Sequence, residues 1–160
     1  MTQQMRVGIA IALLASTVGC GSGRPDRLEV SGRIVLDGQP LTMPEGATGF
    51  VQFVPSGARA AAGEIDSQGR FELTTFGDEG GGDGCVPGTH VVAVTVYQQL
   101  SPTARRWLAP KEYSNRKTSG LTVAIDQPTD TLELNLTWGG KKPFVERLAG
   151  GKEVDAALME

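Results

Sequence analysis

The 160-residue chain is poor in the side chains that build metal and catalytic sites. It has two cysteines, Cys20 and Cys85, and one histidine, His90. A structural zinc site needs four ligands, and the chain contains no Cys-x-x-Cys motif to supply them. A Ser-His-acid hydrolase needs a histidine beside its nucleophile, and no Gly-x-Ser-x-Gly motif is present. The sequence therefore predicts no cofactor, no metal and no enzyme of these classes.

The charge balance excludes a further class of partner. There are 15 basic and 18 acidic residues, for a net charge of −3, and all five lysines lie at or beyond Lys111. The pairs Arg105-Arg106 and Lys141-Lys142 fall short of the basic patch typical of nucleic-acid binding. We interpret both pairs as solvated surface and expect no nucleic acid as a partner.

The first twenty residues have the order of an export signal. A mildly basic start over residues 1–6 precedes an apolar run over residues 7–15, and small residues then lead to Cys20. The apolar run is shorter than the ~20 residues that span a bilayer. The sequence therefore predicts a signal peptide at 1–19. Its removal would leave about one domain, with a net charge of −4.

Val18-Gly19-Cys20 resembles the end of a bacterial lipobox, with Thr17 where that motif prefers leucine. The resemblance implies that the Cys20 thiol receives a diacylglycerol. It also implies that the signal is cut before Cys20 and that the new N-terminus is acylated, typically with palmitate. Two or more acyl chains would anchor the protein stably in a membrane, because each buried methylene contributes about 0.8 kcal/mol. The alternative is an ordinary secretory signal cut nearby. Only in that case would Cys20 be free to form a disulfide with Cys85. Otherwise Cys85 is interpreted as a small buried hydrophobe.

Alternating apolar residues predict about seven strands, and hence an all-β antiparallel sandwich with a core of Val, Leu and Ile. Residues 20–27 are polar and read as a flexible tether. Thr89–Tyr97 has the strongest strand pattern and is expected in the centre of a sheet. The runs over residues 121–126 and 131–136 are expected to pair antiparallel across a short turn. Asp37-Gly38 predicts a tight hairpin turn, since both residue types tolerate positive φ.

Two segments lack a strand pattern. Residues 98–119 form the longest connection, and Trp107-Leu108 is expected to cover one end of the sandwich. Residues 138–160 are expected to form a linker and a short tail. Within the tail, Phe144–Leu148 and 152–159 each have apolar residues four apart, which favours one or two helical turns. The sequence leaves open whether this tail is frayed or docked.

The opening of the predicted domain has a characteristic order. Val30–Leu41 reads V-S-G-R-I-V-L-D-G-Q-P-L and is followed by an apolar strand that ends at Pro55. This resembles the carboxypeptidase regulatory-like domains, which are transthyretin-like sandwiches related in architecture to Ig-like folds. The family's Asp-x-x-Gly-x-Phe is matched by Asp66, Gly69 and Phe71.

Further segments extend the resemblance. Gly88–Val92 is similar to the family's Gly-x-Tyr-x-Val, with His90 in place of the tyrosine. Residues 111–114 and 118–123 look like a segment of exported planctomycete-type lipoproteins of this kind. The resemblance covers residues 28–137. It implies a non-catalytic β-sandwich and says little about the ligand, because this fold is reused widely.

The leading hypothesis is a non-catalytic, lipid-anchored protein of the bacterial cell envelope. It would be exported, held at the outer membrane or periplasmic face through Cys20, and would bind an envelope protein or a glycan. The alternatives are a secreted hydrolase with an unrecognised site near His90 and a structural spacer with no partner. The candidate binding surfaces are the loop Pro44–Gly49, the acidic glycine-rich loop 77–84 and the region around Trp107.

Overall fold

The computed structural model describes residues 27–76, 82–147 and 153–155. This part of the chain is an all-β sandwich of two sheets, as the sequence predicts, and it also contains one short 3₁₀ helix. The predicted signal peptide at 1–19, Cys20 and the tether up to residue 26 lie outside the described residues. So do residues 77–81 of the acidic loop. None of the described segments forms a helix with the length and hydropathy of a membrane span.

The described residues form thirteen strands and the 3₁₀ helix η1, which lies between β9 and β10. In chain order the elements are β1 (Val30–Leu36), β2 (Gln39–Pro40), β3 (Ala47–Pro55), β4 (Ala61–Glu64), β5 (Arg70–Glu72), β6 (Thr74–Thr75), β7 (Gly82–Asp83), β8 (Gly88–Ser101), β9 (Ala104–Trp107), η1 (Lys111–Ser114), β10 (Leu121–Ile125), β11 (Thr129–Leu136), β12 (Phe144–Arg147) and β13 (Glu153–Asp155).

The larger sheet has the order β13-β12-β9-β8-β3-β4-β6-β7, with β10 also paired to β8. Strand β8 is its centre, because β3 pairs with one edge along most of its length. The other edge is shared by β10 at the beginning of β8 and β9 at its end. The central position predicted for Thr89–Tyr97 is confirmed. The hairpin of β8 and β9 also occupies much of the segment expected to be irregular.

In the smaller sheet, β1 lies between β11 on one edge and β2 with β5 on the other. Strands β1 and β11 run parallel, with Ile34 opposite Leu134. The predicted antiparallel pairing of residues 121–126 with 131–136 is therefore wrong. The short connection after Ile125 carries the chain from the larger sheet to the smaller one. Ile125 and Leu134 thereby enter the core from opposite layers.

The core lies between the two sheets and is mostly aliphatic, as expected. Phe53 is fully buried and packs near Phe71, with ring centroids 6.2 Å apart. Gly32 allows β1 and β11 to approach closely, because a Cβ there would lie 2.2 Å from the carbonyl oxygen of Leu132. The register of this parallel pair shifts beside Gly32.

The described parts of the tail are strands where helical turns were predicted, and Leu148, Lys152 and residues 156–159 lie outside the described residues. Residues 144–147 form β12, which pairs antiparallel with β9, and 153–155 pair in turn with β12. The larger sheet therefore continues past residue 137, the expected end of the domain. Side chains of β12 alternate between the two faces of the sheet: Val145 is completely buried on one face, and its two neighbours in sequence lie on the other. Trp107 lies on the same face as these two neighbours and is paired across strands with Tyr97.

Candidate functional site

His90 is enclosed in the core. Its side chain is fully buried, its Nε2–H donates to the carbonyl oxygen of Val86 at 2.9 Å, and its ring lies 5.8 Å from that of Phe53. His90 therefore lies on the inward face of β8, together with Val92 and Val94. Nδ1 has no hydrogen-bond partner among the described residues. The imidazole therefore lies away from solvent and makes no hydrogen bond to a described nucleophile or carboxylate.

Cys85 is also a core residue. Its side chain is buried, and its backbone forms an isolated bridge with Leu28. Burial raises the pKa of the Cys85 thiol, so the thiolate that would react or bind metal is disfavoured. The interpretation of Cys85 as a small buried hydrophobe is confirmed.

The region around Trp107 brings together groups from three elements. The Trp107 ring lies 6.1 Å from that of Tyr97 and stacks on Phe144 at 6.5 Å. The Arg105 guanidinium lies 4.9 Å above the Trp107 ring centre, within the range of a cation–π contact. Trp107 thus packs on the outer face of the larger sheet. The expectation that it covers one end of the sandwich is wrong.

Glu146 of β12 is the polar centre of this region. Its carboxylate accepts hydrogen bonds from Arg105 Nε at 2.9 Å, from Trp107 Nε1 at 3.0 Å, and from Lys111 Nζ. We call these four residues the Glu146 cluster. Burial alone would raise the pKa of Glu146, but the hydrogen bonds from Lys111, Trp107 and Arg105 outweigh it and lower the pKa to about 2. Glu146 is therefore ionised at neutral pH and ties β9, β12 and η1 together.

A surface groove of about 900 Å³ lies beside this cluster. One wall is η1 with the residues after it, and the other is the segment from Trp138 to Phe144. We call it the basic groove. Its lining residues are Lys111, Glu112, Ser114, Asn115, Thr118, Trp138, Gly140, Lys141, Lys142, Pro143 and Phe144.

Two hydrogen bonds join the segments on either side of the basic groove. The Thr137 backbone N–H donates to the Tyr113 hydroxyl at 3.3 Å, and Lys141 Nζ donates to Glu112 Oε1 at 3.1 Å. The hydrogen bond from Lys141 lowers the pKa of Glu112. The Lys141–Glu112 contact joins the two walls directly, and the Thr137–Tyr113 contact ties η1 to the chain just before the second wall.

The turn at the base of the second wall is fixed by local chemistry. Asp37 Oδ1 accepts hydrogen bonds from Thr137 Oγ1 at 2.7 Å and from the Trp138 backbone N–H at 3.1 Å. Gly139 and Gly140 have φ of 58° and 84°, which glycine adopts without strain, and the chain reverses there. The Lys141 N–H closes the turn onto the Trp138 carbonyl at 3.0 Å. The Asp37-Gly38 hairpin predicted from sequence thus also supports the groove.

The groove carries positive charge in an acidic protein. Among the described residues, its lining has three lysines and one glutamate, for a net charge of +2, whereas the whole chain carries −3. Lys111 and Lys141 are held in ion pairs, while Lys142 makes none with residues 27–76 or 84–147. Amines, hydroxyls and an amide line the groove together with aromatic and proline surface. Such a mixture can bind an anionic ligand that also has apolar surface.

The three surfaces proposed from sequence differ in the structure. Of the predicted loop Pro44–Gly49, only the beginning is a turn, closed by the Ala47 N–H on the Pro44 carbonyl at 3.1 Å, and Ala47–Gly49 belong to β3. The acidic loop lies largely outside the described residues. The Trp107 region adjoins the basic groove through Phe144 and Lys111.

Sequence reasoning missed the groove itself. Glu112, Trp138 and Lys142 were not singled out as site residues. The one available signal is the confinement of all five lysines to the chain from Lys111 onward, and the pair Lys141-Lys142 among them is interpreted from sequence as solvated surface. Comparison of the chain with family models, curated proteins and solved structures finds no match.

Proposed function

We propose that the protein is a non-catalytic, lipid-anchored component of the bacterial cell envelope. In this proposal it is held through Cys20 and binds an envelope protein or glycan in the basic groove. The lipobox-like end of the predicted signal supports the anchor. The enclosed position of His90 gives no support to the hydrolase alternative.

The position of the basic groove relative to the chain's entry carries the proposal. The chain enters the sandwich at Leu28, just before β1, and Asp37 follows the far end of β1. Asp37 contacts Trp138 of the groove. Seven residues of β1 span roughly 23 Å at about 3.3 Å per residue. A protein anchored through Cys20 would therefore present the groove at the end away from its attachment.

Membrane fractionation tests the anchor. The wild-type chain and Cys20→Ser are expressed in a bacterium that matures lipoproteins, with Cys85→Ser as the matched control for loss of a thiol. We expect wild type and Cys85→Ser in the membrane fraction and Cys20→Ser in the soluble one. Equal distribution of wild type and Cys20→Ser would contradict the anchor.

Retention on isolated envelopes tests the binding surface. Lys142→Glu reverses a charge in the basic groove, while Lys117→Glu makes the same change on an exposed residue outside the lining. Both are made in the Cys20→Ser background, so that the lipid makes no contribution. We expect weaker retention for Lys142→Glu only. No retention of the parent protein would favour the structural spacer instead.

A further inference from the structure

We propose that the ligand of the basic groove is a carboxylated glycan, a chain of sugars that carries acid groups. This rests on the proposed function, because it names the chemical class of the ligand bound at the same groove. Three features of the groove lead to this class: its charge, the pairing of its polar groups and the structure of its walls.

The charge of the groove selects an anion. Three of the five lysines line it: Lys141 is paired with Glu112 of the lining, and Lys111 is paired with Glu146 beside the groove. Lys111 is fixed by Glu146, so its ammonium is ordered before a ligand arrives. Lys142 makes no ion pair with residues 27–76 or 84–147, so within that part of the chain its ammonium can meet a carboxylate of the ligand. A hydrogen bond between charged groups is about twice as strong as a neutral one.

The polar groups of the first wall suit sugar hydroxyls. The hydroxyls of Ser114 and Thr118 donate to the carbonyls of Lys111 and Glu112, which leaves their oxygens as acceptors. Asn115 Oδ1 accepts from the Lys117 N–H, which leaves its amide NH₂ as a donor. A sugar hydroxyl both donates and accepts, so it can use either kind of group.

The second wall supplies apolar surface at the same place. Pro143 is exposed and Phe144 is half-buried, next to the largely buried Trp138. The C–H faces of a sugar ring can pack on such surface while its hydroxyls face the first wall. A compact phosphate group would leave this apolar wall uncovered.

The architecture of the walls disfavours an extended peptide. Peptides often bind by adding a strand to an open sheet edge, where main-chain hydrogen bonds provide affinity. The groove is walled by a 3₁₀ helix and a loop, and among its lining residues only Phe144 lies in a strand. Its volume of about 900 Å³ lies near the top of the ~300–1,000 Å³ typical of small-molecule sites, which gives room for several sugar units.

Calorimetry of the full-length protein in detergent tests this assignment. The probe is a hexamer of galacturonic acid, and the control ligand is the same hexamer fully methyl-esterified, which keeps the sugar rings but removes the charge. We expect the acid form to bind at least about tenfold more tightly, because a hydrogen bond to a charged group contributes about 1.5–3 kcal/mol. Lys142→Gln should weaken binding of the acid form by a similar factor, while Lys117→Gln should leave it unchanged.

Three results would overturn the assignment. Equal affinity for the acid and the ester would show that charge does not select the ligand. Equal or tighter binding of a glutamate hexapeptide would identify an acidic protein as the partner. Absence of binding to either hexamer would also overturn it, and the proposed function would survive only if envelope retention still depended on Lys142. Circular dichroism of each variant separates loss of binding from loss of fold.

Discussion

At the scale of single residues, the carboxylate of Glu146 is held by three side chains. It is negative, its side chain is 17% exposed, and it receives hydrogen bonds from Arg105, Trp107 and Lys111. An ion pair this far from solvent is screened less by water and salt than one on the open surface. Removal of one partner leaves the others with charges that are partly buried and unpaired.

Glu146→Gln should therefore destabilise the fold. The change keeps the size of the side chain but removes the charge that Arg105 and Lys111 face, and we expect a loss of about 1–3 kcal/mol. Glu133→Gln is the matched control, because Glu133 pairs with Arg33 while 43% exposed, and such pairs contribute at most about 1 kcal/mol. Chemical denaturation followed by tryptophan fluorescence measures both. Equal losses would contradict a special role for Glu146.

The same residue predicts how stability depends on pH. The pKa of Glu146 is about 2 in the folded protein against an ordinary value of 4.5, so folding favours its ionised form. Its contribution is complete above pH 4.5 and is lost as the pH falls toward 2, by about 3 kcal/mol at most. Denaturation curves between pH 2 and 6 should show wild type and Glu146→Gln converging at the acid end. A constant difference across that range would contradict the assignment.

Residues whose role is set by their neighbours in sequence were predictable. Asp37 and Gly38 have φ of 49° and 79°, as a tight hairpin turn requires. Asp66 accepts from the backbone N–H groups of Gln68 and Arg70, as an Asx-type turn predicts. Glu146 was not predictable, because its donors Arg105 and Lys111 are brought to it only by the pairing of β9 with β12.

At the scale of elements, β12 shows why short segments are ambiguous. Phe144 and Leu148 are four apart, which fits a helical turn, but Phe-Val-Glu-Arg also alternates. Over four residues the two periods cannot be separated. The open edge of β9 decides the outcome, because it offers backbone hydrogen bonds and a buried position for Val145.

Val145→Asp should release β12 from β9. The side chain is completely buried, so a carboxylate there would be charged and unpaired, which is costly. We expect the backbone amides of residues 145–147 to exchange with solvent much faster, and Trp107 to become accessible to acrylamide. Thr122→Asp, at an exposed position of β10, should change neither measurement. Unchanged protection in Val145→Asp would contradict the docking of β12.

At the scale of the whole molecule, the alternating patterns predicted a sandwich but not the assignment of strands to sheets. Residues 121–126 and 131–136 are neighbours in sequence, and local patterning favours pairing them. Their partners are instead β8 and β1, with Ile34 pairing to Leu134. Pairing between distant segments depends on which arrangement best fills the core. The alternating pattern of a single sequence does not predict that arrangement.

The corrected extent of the larger sheet gives a prediction for fragments. A fragment of residues 27–155 should show a β-type circular dichroism spectrum and one cooperative unfolding transition. A fragment ending at 137 lacks β12 and Glu146, so it should remain β-rich but unfold roughly 10 °C lower, as expected for a loss of 2–3 kcal/mol in a domain of this size. Equal melting temperatures would show that β12 contributes nothing to the sandwich.

The parallel pairing of β1 with β11 also sets an order of events during synthesis. Arg33 and Glu133 are joined by a hydrogen bond of 2.9 Å although they lie 100 positions apart in the sequence. On this edge the first strand must wait for nearly all of the domain to be made before its partner β11 exists, although β2 and β5 on the other edge follow it early in the chain. Chains dominated by such distant pairings fold slowly, in roughly milliseconds to seconds. For a protein exported as we propose, this delay would keep the emerging chain unfolded, and so able to be threaded across a membrane before it closes.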